Sequence, residues 1–313
     1  MSSRQRQRGV ILMSALILVA LAVVIAATLF FETAMSARRA VASFSMEQAL
    51  QLGQGAEALA AYGLREDKNQ DDSPLDSWAQ PYGPVEVAPE VGLEALITDE
   101  QGRFNVNTLL NADGTPNENA GKIFRRLLEL CELEPKWASL LVDWMDPNVL
   151  PESDGGEDSL YTSQKPPHLT GNLLVTSISE LQQLPGFTRE LYLKLAPHIT
   201  ALPPTANTIN VCTADGIVLD SLYALSAGNR NNVQYSAQTP EALAELRRNG
   251  CFPKRSILAA SEQAMQERTG ERSSYFRLHT WIRIGTAQFA LYSLMYRDAN
   301  GQARSVARSF GTE

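Results

Sequence analysis

From Val10 to Phe31 the chain reads VILMSALILVALAVVIAATLFF, 22 residues without a charge, a glycine or a proline. As a helix rising about 1.5 Å per residue, this run spans ~33 Å, enough to cross a hydrocarbon core of ~30 Å. Arg4, Arg6 and Arg8 crowd its short N-terminal side. Basic residues beside a span are held on the cytoplasmic face, so the rest of the chain is expected outside the cytoplasm. A cleaved secretory signal is the competing reading, with Ala26-Ala27 or Ala34-Met35-Ser36-Ala37 as its small-residue site. Such signals, however, carry apolar regions of only about 7–15 residues.

Gly9 precedes the apolar run instead of following it. A short basic leader, a glycine, then an uncharged helix continuing into an amphipathic one resembles the type IV pilin and pseudopilin class. That resemblance implies cleavage after Gly9 by a prepilin peptidase on the cytoplasmic side, with methylation of the new N-terminus at Val10. Pilins usually carry Glu at the fifth mature position, and here that position is Ser14. A carboxylate in hydrocarbon is costly unless paired. In assembled pilins it meets the terminal ammonium of the subunit added before it, and a subunit added first has no such neighbour. Ser14 therefore suits a filament tip, and equally an ordinary anchor.

A chain of 313 residues suits an anchor plus one or two folded units. Its 27 basic and 35 acidic residues give −8, and without the three leader arginines the balance is 24 against 35, or −11. That acidity argues against nucleic acid and anionic lipid as partners, and for solubility or cation binding. Of the cysteines, Cys212 and Cys251 share the C-terminal part and are the expected disulfide, in a compartment that permits one. Cys131, among Leu127, Leu128, Leu130 and Leu133, reads as a buried helix residue.

Beyond Phe31, Ala34, Ala37, Val41, Phe44, Ala49, Leu52, Ala56 and Leu59 recur at helical spacing. One long helix is expected through about Leu64, its half from 10–31 in the membrane and its half from 32–64 outside it, followed by a loop over 65–84. Val85–Val87, Glu94–Thr98 and Arg103–Asn107 read as short strands, the last two joined through Asp99-Glu100-Gln101-Gly102 as a hairpin. Helices are expected from Ala120 to Met145, broken near Pro135, and twice between Ser177 and Leu195. Ile209–Cys212 reads as a strand, Asp215–Leu225 and Pro240–Arg248 as helices, and the end as a meander over 275–284, 289–297 and 303–310. The expected fold class is α+β: a long N-terminal helix with an antiparallel sheet, its α+β domain at 85–114 and 203–313, interrupted by an all-helical domain at 115–202.

The densest chemistry lies in that interruption. The carboxylates of Asp143, Asp146, Asp154, Glu157 and Asp158 and the amide oxygen of Asn148 fall within sixteen residues, in loop-forming sequence without a Lys or Arg. Negative groups so crowded repel unless they are solvated or bridged by a cation. Oxygen-only donors in a flexible loop suit Ca²⁺, which takes about 6–8 of them at ~2.3–2.6 Å. Gly155-Gly156 would allow the turn that brings Glu157 and Asp158 back towards Asp146 and Asn148. The spacing is not that of an EF-hand, and Zn²⁺ is disfavoured because the one nearby nitrogen donor is His168. A calcium site and a solvated acidic loop both remain open on these residues alone.

The run Asp143-Trp144-Met145-Asp146, with Gly156-Glu157-Asp158 and Tyr161, resembles the K-type minor pseudopilin of bacterial type II secretion systems, general secretion pathway protein K. Other signatures follow in the same order: Gly102-Arg103-Phe104-Asn105-Val106-Asn107, Ser177-Ile178-Ser179-Glu180-Leu181, Gly186-Phe187, Leu202-Pro203 and Ile209-Asn210-Val211. The likeness runs from the leader to the terminal strands. It implies a pseudopilin α+β fold with an inserted helical domain, bound calcium, and a place at the pseudopilus tip with the I- and J-type minor pseudopilins. It implies export of folded proteins, anchorage in the inner membrane by a single pass, and a head in the periplasm. A missing Glu at Ser14 is the habit of that family. Cys212 departs from it, standing where the family usually has Asn before Thr.

Leu184-Pro185-Gly186-Phe187 also invites comparison with a helix-hairpin-helix, but Thr188 replaces the second glycine and no basic residues surround it. A tight turn packing two helices is the expectation. His168, His198 and His279 lie in unrelated contexts, without Gly-x-Ser-x-Gly or His-Glu-x-x-His. No catalytic residue is assigned, and the rival function is a membrane-anchored periplasmic hydrolase using paired carboxylates of the acidic loop.

Overall fold

A computed structural model describes residues 3–226, 228, 231–259 and 262–311, with side chains from Val10 onward. Helix α1 runs without a break over Ser3–Glu66. Over its apolar half Ile17, Leu21 and Phe30 remain 55–78% exposed, because nothing else among the described residues packs there. From Ala49 the helix gains a buried stripe of Ala49, Ala56, Ala60 and Leu64, spaced at whole turns so that all four share one face.

After it come β1 (Tyr82–Ala88), β2 (Val91–Asp99) and β3 (Phe104–Asn105), then helices α2 (Glu118–Leu130), α3 (Lys136–Met145), α4 (Asp158–Thr162) and α5 (Arg189–Leu195). Next are β4 (Ile199–Thr200), β5 (Ile209–Asn210), α6 (Gly216–Leu222), α7 (Pro240–Leu246), α8 (Arg255–Leu258), α9 (Gln263–Arg268) and β6 (Thr269–Gly270). The chain closes with β7 (Tyr275–Ile284), β8 (Ala287–Arg297) and β9 (Ala303–Phe310). The main sheet has the order β1-β2-β7-β8-β9, antiparallel throughout.

Alternation along the strands decides which face meets α1. Leu93 and Ile97 of β2, Phe276, Leu278 and Ile282 of β7 and Met295 of β8 turn inward and join the α1 stripe and Trp78 in one core. Gly53 is small for this contact: a Cβ there would collide with the Leu291 side chain of β8. Glu57, buried on the same face, accepts from Arg308 Nε at 2.7 Å, Arg308 Nη2 at 2.6 Å and Ser293 Oγ at 2.6 Å. Burial alone would raise its carboxyl, but these bonds outweigh burial and hold it below the usual range.

A second, larger core is built wholly from the helical part, running from Phe104 through Leu127, Leu141, Tyr161 and Leu219 to Met265. Here the packing differs from the domain boundaries expected from sequence. Residues 203–270, assigned there to the pseudopilin domain, bury Ile209, Val211, Val218, Leu222 and Met265 in the helical core. The chain leaves the sheet at Asp99 and returns at Tyr275, so the sheet-borne parts are shorter than 85–114 and 203–313.

The expected hairpin between Glu94–Thr98 and Arg103–Asn107 is also corrected. β2 pairs with β1 and β7, while Phe104–Asn105 pairs in parallel with Ile199–Thr200. The reason lies in two amides. Asn105 donates to the Pro203 and Ala206 carbonyls, each at 3.1 Å, and accepts from Leu202 N at 3.0 Å. Asn107 donates to the Val175 and Leu202 carbonyls at 2.8 and 2.9 Å and accepts from Val175 N at 2.9 Å. These side chains take the place of a strand partner and stitch the segment into the helical body.

Asn210 fastens the two bodies together. Fully buried, its Nδ2 lies 3.0 Å from the Asp72 carbonyl, 2.8 Å from Asp99 Oδ2 and 3.1 Å from Ser273 Oγ. Its Oδ1 accepts from Cys212 N at 3.0 Å, and its backbone N–H donates to the Gln101 carbonyl at 2.7 Å. Asn210→Ala should strand these buried groups and lower stability by roughly 1–3 kcal/mol, measured as a reduced midpoint in urea unfolding of the detergent-solubilised chain.

Candidate functional site

The expected processing point lies at the start of α1. Gly9 and Val10 lie within its unbroken helical backbone, with Val10 69% exposed. Ser14 Oγ donates to the Ile11 carbonyl at 2.9 Å, so this hydroxyl is satisfied inside its own helix and needs no group from a neighbouring subunit. The segment from Val10 is apolar enough to cross a membrane by length and composition, with a mean hydropathy of 3.1 in its span window.

In the acidic loop the expected ligands divide by what already holds them. Asp143, at the end of α3 and fully buried, accepts from Glu152 N at 3.0 Å and Gly156 N at 2.6 Å, folding the loop back on the helix. A Cβ at Gly155 would collide with the same carboxylate, which is why glycine stands there. Asp158 accepts from Thr170 N at 2.9 Å and Thr170 Oγ1 at 2.7 Å. Asn148 turns its Oδ1 to Leu150 N at 2.7 Å, and Asp154 is exposed with φ 65°.

Two carboxylates are left with work to do. Asp146 is fully buried and Glu157 is 8% exposed, yet among the described residues Asp146 Oδ2 and Glu157 Oε1 have no hydrogen-bond partner, nor does the buried Tyr161 Oη. Burial, then the charges of Asp143, Asp146 and Asp158, push Glu157 up to about 7. Burial likewise raises Asp143 and Asp146. Orphaned buried oxygens of one sign are what a hard cation would satisfy, and Asp146 and Glu157 are the residues that could supply them. The six expected ligands are not equally close: among the described residues, no three carboxylates of this loop have oxygens all within 4.8 Å of one another. Sequence reading left out Glu152, whose charge raises Asp143 and Asp146, and Thr170, which engages Asp158. No local pattern announces Thr170, because it arrives from beyond the loop. Trp144, Tyr161 and His168 pack against one another, with ring centroids 5.2 to 6.2 Å apart.

Cys212 and Cys251 are bridged, with Cα atoms 4.6 Å apart. Cys131 is free and buried, and burial pushes its thiol up to about 12. At Leu184-Pro185-Gly186-Phe187, Phe187 packs edge-on against Trp137 at 5.0 Å, a turn that joins helix to core.

Residues 102–204 match the family model for the type II secretion system (T2SS), protein K. The type II secretion system protein K of Aeromonas hydrophila is 31% identical over 336 residues, covering 99% of each chain. This chain belongs to the type II secretion protein K family. The corresponding proteins of Klebsiella pneumoniae and Pectobacterium carotovorum are 30% and 29% identical, each over 98% of this chain. In fold, it is similar to a chain of the GspK-GspI-GspJ complex of the enterotoxigenic Escherichia coli type 2 secretion system. The TM-score is 0.68 at 23% identity, over 88% of this chain and 100% of that one. The α+β class, a long N-terminal helix against an antiparallel sheet with added helices, agrees with that protein K relative.

The pH dependence follows from Glu157. A carboxyl at about 7 in the folded chain and 4.5 otherwise stabilises the fold fully below pH 4.5, and that contribution is lost as pH rises through 7. Without divalent cations, the melting temperature should therefore fall over this window. In Glu157→Gln that fall should shrink, as scanning calorimetry across the pH series would show.

Proposed function

We propose that this chain is a minor pseudopilin at the tip of the type II secretion pseudopilus, where it supports export of folded proteins across the outer membrane. The observation that carries the reading is a likeness to protein K relatives from end to end, including the apolar rod. Before assembly the rod crosses the inner membrane once, with the acidic head in the periplasm, as the arginines ahead of it favour. Prepilin peptidase cuts between Gly9 and Val10, and the new N-terminus is methylated.

Its partners are the I- and J-type minor pseudopilins and further pseudopilus subunits. Support comes from the solved relative, a chain of a complex with GspI and GspJ. The rod, apolar on every side before Phe31, buries itself among equivalent helices once it leaves lipid. The inserted helical body, which we assign to about 100–273, stands over the tip and blocks further addition. The work of the chain is contact, not catalysis. One Ca²⁺ bound at Asp146 and Glu157, with the other loop oxygens completing its shell, would neutralise the buried charge and fix the loop against α3.

N-terminal sequencing of the mature protein should begin at Val10, and a chain beginning at Met1 in cells with active peptidase would overturn the assignment. The detergent-solubilised chain should also co-purify with I- and J-type pseudopilins. Saturating Ca²⁺ should raise its melting temperature by several degrees, a chelator should reverse this, and Glu157→Gln should reduce the response.

A further inference from the structure

A second acidic cluster lies where α1 gives way to the head. Asp67 is the first residue after the helix, and Asp72 and Asp76 follow in the loop that carries the chain to the sheet. One carboxylate oxygen from each of the three lies within 4.8 Å of the other two. Exposed acidic groups often gather without consequence, but these are enclosed: Asp72 is 0% and Asp76 8% exposed, and the Asp67 side chain is 4% exposed.

The existing partners account for part of this charge only. Arg297 of β8 binds Asp67 Oδ2 at 3.3 Å and also Asp72 Oδ2, which accepts from Ser273 N at 2.7 Å as well. Asp76 accepts from Ser73 N at 2.7 Å and from Asn69 Nδ2 at 2.6 Å. Asp67 Oδ1 accepts from Asn69 N at 3.1 Å. Among the described residues, Asp72 Oδ1 is left buried without a partner. One guanidinium faces three carboxylates, with Asp71 adding to the repulsion felt by Asp76.

The donor chemistry selects the ion. Cys212 and Cys251 lie beside Asp71 but are joined to each other, so no thiolate is offered and every donor is oxygen. Carboxylates on an irregular loop suit the adaptable shell of calcium better than the strict octahedron of magnesium. The run Asp67-Lys68-Asn69-Gln70-Asp71 alternates oxygen side chains as the first half of an EF-hand does, but Asp72 stands in place of its glycine and Trp78 in place of its final Glu. This is a different shell, closed by the return of Asp76.

We propose that Asp67, Asp72 and Asp76 bind a calcium ion at the junction of rod and head, at a site separate from the Asp146–Glu157 loop and independent of the secretion assignment. The ion supplies the missing positive charge, holds the loop against Arg297 of β8 and Ser273, and so stiffens the joint through which the rod positions the head.

The test is calorimetric titration of the full chain in detergent with CaCl₂, in the Asp146→Asn/Glu157→Gln background that disables the acidic loop. One ion should still bind, and adding Asp67→Asn/Asp76→Asn should abolish that binding while the circular dichroism spectrum is retained. No calcium bound in the loop background overturns the proposal, as does binding that survives the second pair of substitutions. Should the quadruple variant fail to fold, hydrogen exchange on the unaltered chain decides. Amides 68–76 should exchange more slowly in Ca²⁺ and recover with a chelator, and slowing confined to 143–158 overturns the site.

Discussion

One amide, that of Asn210, joins the loop after α1, the sheet and the helical body at once. Its side chain reaches the loop after α1 through the Asp72 carbonyl, the end of β2 through Asp99, and the approach to β7 through Ser273. Those are the points where the chain leaves the sheet and comes back to it. A buried amide can serve so many partners because it carries donors and an acceptor on one rigid plane, whereas an apolar residue there would take a hydrogen bond from each partner. The acceptor side holds Cys212 N, and Cys212 is bridged to Cys251, so the same residue ties the helical body to its own covalent clasp.

The polar seam explains how an inserted body of this size can be seated without a shared hydrophobic core. The two apolar clusters are distinct: one between α1 and the sheet, the other within the helices. Between them run Asp99, which accepts from Thr213 Oγ1 at 2.6 Å and Ser273 Oγ at 2.7 Å, and Gln101, whose Oε1 accepts from Ser274 and Tyr275 N. Hydrogen bonds are directional where apolar contact is not, so the seam fixes an orientation as well as a proximity. Burial still raises the Asp99 carboxyl despite those bonds.

Much of this was legible in the residues, for reasons that can be named. The rod and its continuation show themselves by composition and then by a stripe at whole turns; the closing meander shows strict alternation, with Phe276, Leu278, Thr280 and Ile282 buried between more exposed neighbours. Both signals are local. The hairpin failed because Asn105 and Asn107 bond to residues near position 200, and nothing close in sequence reveals that. The reach of the insertion failed because residues 203–270 alternate short strands and helices that would fit either body; only their burial against α2 assigns them. In the acidic loop the residue types were visible, but not their division. Asp143 and Asp158 are held by N–H groups of the surrounding chain, while Asp146 and Glu157 keep free oxygens. Asp67, Asp72 and Asp76 passed as ordinary loop, although oxygen side chains at alternate positions directly after a helix were there to be read.

The junction between rod and head follows from the same physics. A long helix can orient a head only if the connection does not swivel, and a helix ending in an acidic loop would ordinarily fray. Three contacts oppose that here. Gly53 lets α1 approach β8 closely, Glu57 is clamped by Arg308 of β9 and Ser293 of β8, and Arg297 of β8 draws in Asp67 and Asp72 just past the helix end. They occur about one and three turns apart along α1 and all reach the same two strands, so rotation about the helix axis would break all three together. The ion pairs carry a desolvation cost that apolar residues would avoid. What they give in exchange is register: Leu or Ala at Glu57 could slide along the sheet, whereas a carboxylate gripped by two nitrogens of one guanidinium has a single seat.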